Sequence, residues 1–208
     1  MPVLFFDIGA TLADAAVEAD GSLTLRPRPR VLAVLDAFAR TRKGIVSNPG
    51  PGEDAVARAG AALHAAFPGR FPDEALVLWG AKNSPAIFER AVAATARDGG
   101  PAVPADACVF VGEDARERAF AAQAGLRTAP HPVLTLAAVE GRPVFEARIA
   151  LPAGRGPADL EAVAGTTEAV PLPGDGRRLV PALVSVLGAG VLDRAGFTVD
   201  LRDPLPLA

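Results

Sequence analysis

The sequence predicts an α/β fold, a doubly wound parallel sheet followed by a small C-terminal α+β module. Three observations predict it. Short apolar runs at 3–6, 44–48, 75–80 and 107–112 lack the polar alternation of a half-exposed strand, so they read as strands buried on both faces. Segments of helical period separate those runs, and strands alternating with helices imply a parallel sheet with helices on both sides. From about Val133 the pattern changes to alternating strands with short helices between them. Residues 1–135 are therefore expected as one α/β domain and residues 140–208 as an α+β module of ferredoxin-like or open-sandwich type.

Taken in order, "VLFF" (3–6) is a buried strand that ends abruptly on Asp7. Residues 13–27 alternate loosely around "EADGS", a hairpin or flap turning at Asp20-Gly21 that stands where it could gate a site. Val31, Leu32, Val34, Leu35 and Phe38 recur at helical spacing, so a helix is expected from Arg30 to about Arg42. "GIVSN" is a strand broken by "PGPG", and 53–66 is an Ala-rich helix. "ALVLWG" is a third strand. A helix over 84–98 follows, with Pro85 in its first turn. "ACVFVG" is a fourth strand, 114–124 a helix stopped by Gly125, and "RTAPHP" a short strand or loop. In the module, "PVFEARIAL", "TEAVPLPG", "RRLVPALVSV" and "TVDLRD" read as strands, with "GPADLEAVA" and "GAGVLDRAGF" as helices.

The 208 residues are half hydrophobic and 22% charged, enough for a sizeable core. A net charge of −3 with no dense Lys/Arg run argues against nucleic acid as a partner. No run of about eighteen apolar residues and no basic leader is present, so a soluble cytoplasmic protein without membrane attachment is the expectation. Cys108, the single cysteine, lies in an apolar run and reads as core. His64 and His131 stand isolated and read as ordinary residues. Among 21 basic residues only Lys43 and Lys82 are lysines. In so Arg-biased a chain, a lysine marks a place where a compact ammonium serves and a planar guanidinium does not.

Each predicted strand of the first domain leads to a chemically capable group: Asp7, then Ser47-Asn48, then Lys82, then Glu113-Asp114. Ligands of doubly wound sheets bind at the carboxyl ends of the strands. Asp7 there is either a nucleophile or metal ligand, or a solvated strand-end acid. Ser47 and Asn48 also suit a plain turn before "PGPG". Glu113 and Asp114 also suit a helix N-terminus, where the dipole favours acids, and both readings can hold at once.

"FFDIGATL", "IVSN", "GAKNSPAIFERAV" and "VFVGEDARERAFAAQAGLRT" occur in this order over residues 3 to about 130. Together they resemble the four motifs of the haloacid dehalogenase-like (HAD) superfamily, and the resemblance implies that family's Rossmannoid core. It implies Asp7 as the nucleophile that forms an acyl phosphate, with Thr11 in the same motif. It implies Ser47 as a hydrogen-bond donor to a phosphate oxygen, with Asn48 and Gly9 lining the substrate. Lys82 would neutralise the transferring group. Mg²⁺ would be held by oxygens from Asp7, the carbonyl of Ile8 or Gly9, and Glu113 or Asp114, with Glu117 at the second acidic position of the fourth motif.

Two departures matter. The family's phosphatases carry an acid two residues after the nucleophile, and here that residue is Gly9. General acid–base help is worth about 10²–10⁴-fold, so the expected phosphatase activity is weak or altered. Glu113 stands where Asp is usual, one methylene longer. Neither the stretch between Leu12 and Gly44 nor that between Asn48 and Lys82 can house a full cap domain. An uncapped site is open, which suits large or macromolecular substrates or no turnover at all; the expected partner is a small-molecule phosphate or a larger phosphorylated substrate. The competing expectation is a non-catalytic HAD-like protein that binds a ligand or partner; dehalogenation or C–P cleavage is a third, smaller one. The C-terminal segment resembles small modules found beside bacterial proteases, which implies a protein partner for it.

Overall fold

The computed structural model describes residues 1–19, 21–97, 99–173 and 178–205. The chain divides into two compact units, the first Met1–Pro132 and the second beginning at Val133.

The first unit is built on five parallel strands: β1 (Val3–Phe6), β4 (Arg42–Ser47), β5 (Val77–Trp79), β6 (Cys108–Val111) and β7 (Arg127–Ala129). Their order is β5-β4-β1-β6-β7. The chain starts in the middle, winds two strands to one side, then returns to wind two to the other. All four residues of β1 are fully buried, as a central parallel strand flanked by helices requires. Its side chains alternate between two apolar layers. Val3 and Phe5 join a core with Val46, Leu78, Phe88 and Phe110, where the Phe88 and Phe110 rings meet edge-on at 4.8 Å. Phe6 meets Phe71 edge-on at 6.3 Å. Cys108 is fully buried, and burial pushes its thiol up to about 11, so it is an inert core residue as expected.

Between β1 and the first helix stands an antiparallel hairpin of β2 (Ala13–Val17) and β3 (Leu23–Pro27). Gly21 lies in its turn at φ +82°; Asp20, the other expected turn residue, lies outside the described residues. The helices are α1 (Val31–Ala37), α2 (Ala55–Ala66), α3 (Ala86–Ala93) and α4 (Ala115–Gln123).

The helix expected to reach Arg42 stops at Ala37, and Arg42 opens β4 instead. The reason lies in Lys43, whose buried ammonium donates to the carbonyls of Phe38 (2.7 Å) and Thr41 (3.2 Å) and so closes the helix end and the turn after it. The helix expected over 84–98 is also shorter; Asp98 lies outside the described residues.

The second unit begins with a short helix, α5 (Thr135–Val139), absent from the sequence reading. A βαββαβ run follows: β8 (Val144–Ala150), α6 (Pro157–Ala164), β9 (Ala169–Pro171), β10 (Leu179–Ser185), α7 (Val186–Arg194) and β11 (Thr198–Pro204). Its sheet is antiparallel in the order β11-β8-β10-β9. Along β8, Ala147 and Ile149 are buried while Glu146 and Arg148 are exposed, the period-2 signature of a sheet with one solvated face. The buried face packs with Leu160, Ala164, Leu192 and Phe197. Residues 174–177 and 206–208, parts of the expected strands and module, lie outside the described residues. Among the described residues no helix is long and apolar enough to cross a membrane.

Candidate functional site

In a sheet wound this way the crevice opens at the carboxyl ends of the two strands where the winding reverses. Those strands are β1 and β6, which pair directly. Asp7 follows β1 and Gly112-Glu113 follow β6, so the topology alone selects this edge. The Asp7 amide donates to the Val111 carbonyl (2.9 Å), which extends the ladder one residue and fixes the Asp7 backbone. Glycine at 112 is required by the Phe110 ring and not by Asp7. A Cβ there would lie 2.9 Å from the Phe110 ring and 3.6 Å from the Asp7 Cβ.

The Asp7 carboxylate is almost fully buried. Its Oδ1 accepts from the Ser47 hydroxyl (2.8 Å), at the end of β4, and from the Lys82 ammonium, just past β5. Among the described residues nothing donates to Oδ2. Two donors thus orient the carboxylate through one oxygen and leave the lone pairs of the other for an electrophile or a cation. Lys82 also lies 3.0 Å from Oε2 of Glu117 on α4, close enough for an ion pair although the alignment falls short of a hydrogen bond. Burial pushes the Glu117 carboxyl above its ordinary value, with Lys82 opposing. One ammonium therefore bridges two acids.

Thr11 and Glu113 form a second contact across the edge. The Thr11 hydroxyl donates to Oε2 of Glu113, and the Glu113 amide donates back to the Thr11 hydroxyl oxygen (3.2 Å). Arg118, a residue the sequence reading passed over, donates to the carbonyls of both Gly112 (2.8 Å) and Glu113 (2.6 Å) and holds this loop from α4. Asp114 acts as the N-cap of α4, accepting from the amides of Arg116 (2.7 Å) and Glu117 (3.0 Å). The backbone bond from Glu117 leads the causes that lower its carboxyl pKa. Asn48 is exposed and accepts from the Gly50 amide (3.0 Å), closing the turn into "PGPG". The structure thus brings Asp7, Ser47, Lys82 and Glu117 together, pairs Thr11 with Glu113, and engages Asp114 and Asn48 in local backbone contacts.

The loop after Asp7 tightens on a single acceptor. The Ile8 carbonyl takes the amides of Thr11 (3.3 Å), Leu12 (2.9 Å) and Ala13 (3.0 Å). Of the two carbonyls expected to face a cation, that leaves Gly9 as the one with lone pairs to give. A Cβ at Gly9 would meet nothing within 4 Å. Ala10 is left-handed at φ 52°, and its carbonyl accepts from Arg28 at the foot of the hairpin. Among the described residues no three His, Cys, Asp or Glu side chains stand close enough to cage a metal ion, so carbonyl and water oxygens would complete any such shell.

No protein-family model matches this chain, and no curated protein sequence matches it.

Proposed function

We propose that this protein is a HAD-like hydrolase that transfers a phosphoryl group from its substrate to Asp7, with activity weakened or altered by the glycine at position 9. The observation that carries the reading is the half-anchored Asp7 carboxylate, one oxygen held by Ser47 and Lys82 and the other unbonded at the topological switch of a parallel sheet. A nucleophile needs this arrangement: fixed in direction, flanked by a cation, and with a lone pair to spare. Lys82 would offset the charge gathered when a phosphoryl group meets a carboxylate. Ser47 would follow the developing charge with its hydroxyl. The site's hard oxygens suit Mg²⁺, with Asp7, the Gly9 carbonyl and Glu113 as the groups to hold it, and the ion would supply further neutralisation of the phosphoryl oxygens. Glu117 keeps Lys82 in place.

The strand order of the first unit supports the Rossmannoid reading. The βαββαβ order of the second supports the ferredoxin-like one, and we assign that unit to contact with a protein partner. Gly9 favours one competing reading, a binding protein that has given up turnover.

A screen of phosphorylated compounds with the wild type, Asp7→Asn and Gly9→Asp separates the two. The hydrolase reading expects weak wild-type activity lost in Asp7→Asn, and a gain on the order of 10²–10⁴-fold in Gly9→Asp. Activity that survives Asp7→Asn overturns it.

A further inference from the structure

The second unit has an open edge. In the order β11-β8-β10-β9, β11 pairs with β8 on one side and, among the described residues, with no strand on the other. It is seven residues long, and every residue but Val199 is exposed. Such an edge presents backbone N–H and C=O groups to which another strand can add. The side chains decide which strand. Asp200 and Arg202 share one face of β11, where Nη2 of Arg202 lies 2.5 Å from Oδ2 of Asp200, and both stay about half exposed. Leu201 between them is 41% exposed. Resting on the assignment of this unit to contact with a protein partner, we infer that the partner is a second copy of this chain, joined antiparallel through β11 so that two four-stranded sheets become one continuous sheet.

Symmetry selects the register. A two-fold axis perpendicular to the sheet keeps each side chain on its own face, so one residue must stand opposite itself. An axis through Asp200, Arg202 or Asp203 would set like charges directly opposite each other, which is unfavourable. An axis through Leu201 sets Asp200 opposite the partner's Arg202, and Arg202 opposite the partner's Asp200. No other centre along the strand brings an acid opposite Arg202. The ion pair within each chain becomes a square of four alternating charges, with the two Leu201 side chains against each other. The contact is short. The register toward β8 shifts between Leu201 and Pro204, and Pro204 has no N–H to donate. Pairing therefore runs over residues 199–203 and makes a weak, reversible dimer.

The test is analytical ultracentrifugation of the full chain from micromolar to near-millimolar concentration. The wild type should pass from monomer to dimer. Asp200→Arg puts four cations in the square and Arg202→Asp puts four acids there, so each should weaken dimerisation about tenfold or more. Both side chains are exposed, so the fold should survive either change. Mixed in equal amounts, the two variants should form a heterodimer as tight as the wild-type dimer, since every charge again meets its opposite. Leu201→Cys should cross-link on mild oxidation: directly opposed strand residues stand about 4.5–5.5 Å apart at Cα, within disulfide reach, and Cys108 is buried. A dimer unmoved by both charge changes and not cross-linked by Leu201→Cys overturns pairing through β11 and leaves the partner assignment standing. A monomer at every concentration overturns the second copy as the partner. Neither result bears on the hydrolase reading, which rests on Asp7 and has its own screen.

Discussion

Lys82 is the residue on which the site's electrostatics turn. Its side chain is 4% exposed and bridges two acids, one as buried as itself. Removing the cation strands both carboxylates, and breaking a buried pair costs about 3–5 kcal/mol. Lys82→Met should therefore lower stability by about that amount in urea denaturation, and adding Asp7→Asn and Glu117→Gln should recover most of it. A Lys82→Met protein as stable as the wild type would show that the pair carries no net burden. Lys43, the other lysine, is also buried, and burial lowers its pKa against the opposing charge of Asp36. The scarcity of lysine was thus legible as a signal, but the sequence had no means of telling a helix-end clasp from a site cation. His131 makes a pH prediction. Burial, then Arg28 and Arg30, lowers its pKa from 6.5 to about 4. Between those values the unfolded chain binds more protons than the folded one, so stability is full above about 6.5 and falls as the pH drops toward 4. The largest possible loss is about 3 kcal/mol. Urea midpoints at pH 7, 5.5 and 4.5 should fall less steeply in His131→Gln; equal slopes would remove His131 from the account.

At the scale of elements, two glycines that look alike in sequence should behave oppositely. A Cβ on Gly44 in β4 would lie 2.3 Å from the Leu76 carbonyl oxygen, a backbone atom that cannot swing aside. Gly44→Ala should cost at least about 1–3 kcal/mol, the usual range for overpacking. Gly9→Ala meets nothing, so thermal denaturation should find it unchanged or up to about 1 kcal/mol more stable. The reverse ranking would mean that β4 does not pack as described. Strands were legible where burial on both faces wrote a plain apolar run, as in Val3–Phe6 and Cys108–Val111. Helix ends were not. Val31 to Phe38 has the right period, but the stop is made by Lys43 reaching back from the next strand, a tertiary contact that no window of eight residues contains. The site divides the same way. Strand exits named Asp7, Ser47 and Lys82, whereas Arg118 was invisible because its targets are backbone carbonyls, which have no sequence signature. Asp114 was legible in both of its readings; its Oδ1 makes the cap and leaves Oδ2 for the other.

At the scale of the molecule, each unit has its own apolar core and its own ionic knot, buried in the first and half-buried in the second, so each has a separate source of cooperativity. In the second unit the knot is Arg142. Its guanidinium grips both oxygens of Glu168, with Nη2 to Oε1 at 2.6 Å, and also pairs with Glu140 at 2.6 Å. Ser185, the N-cap of α7, donates its hydroxyl to Glu168, and its amide donates to the Glu168 carbonyl (3.0 Å). Burial raises the Glu168 carboxyl, but Arg142 and Ser185 more than offset it and hold it below the usual range. The end of β10, the start of α7 and the turn into β9 are thus joined through one carboxylate. Glu168→Ala removes the bidentate partner and leaves the Arg142 guanidinium, 19% exposed, with Glu140 and a long contact to the Ser185 hydroxyl (3.4 Å). A loss of about 1.5–3 kcal/mol is expected for hydrogen bonds to a half-buried charge. Because the contact lies wholly within the second unit, the loss should be local. Native-state hydrogen exchange of the full chain should show amides of β8, β10 and α7 opening about 10²-fold or more faster, while amides of β1, β4 and β6 keep their wild-type rates. Equal acceleration throughout the chain would show instead that the two cores melt as one cooperative structure.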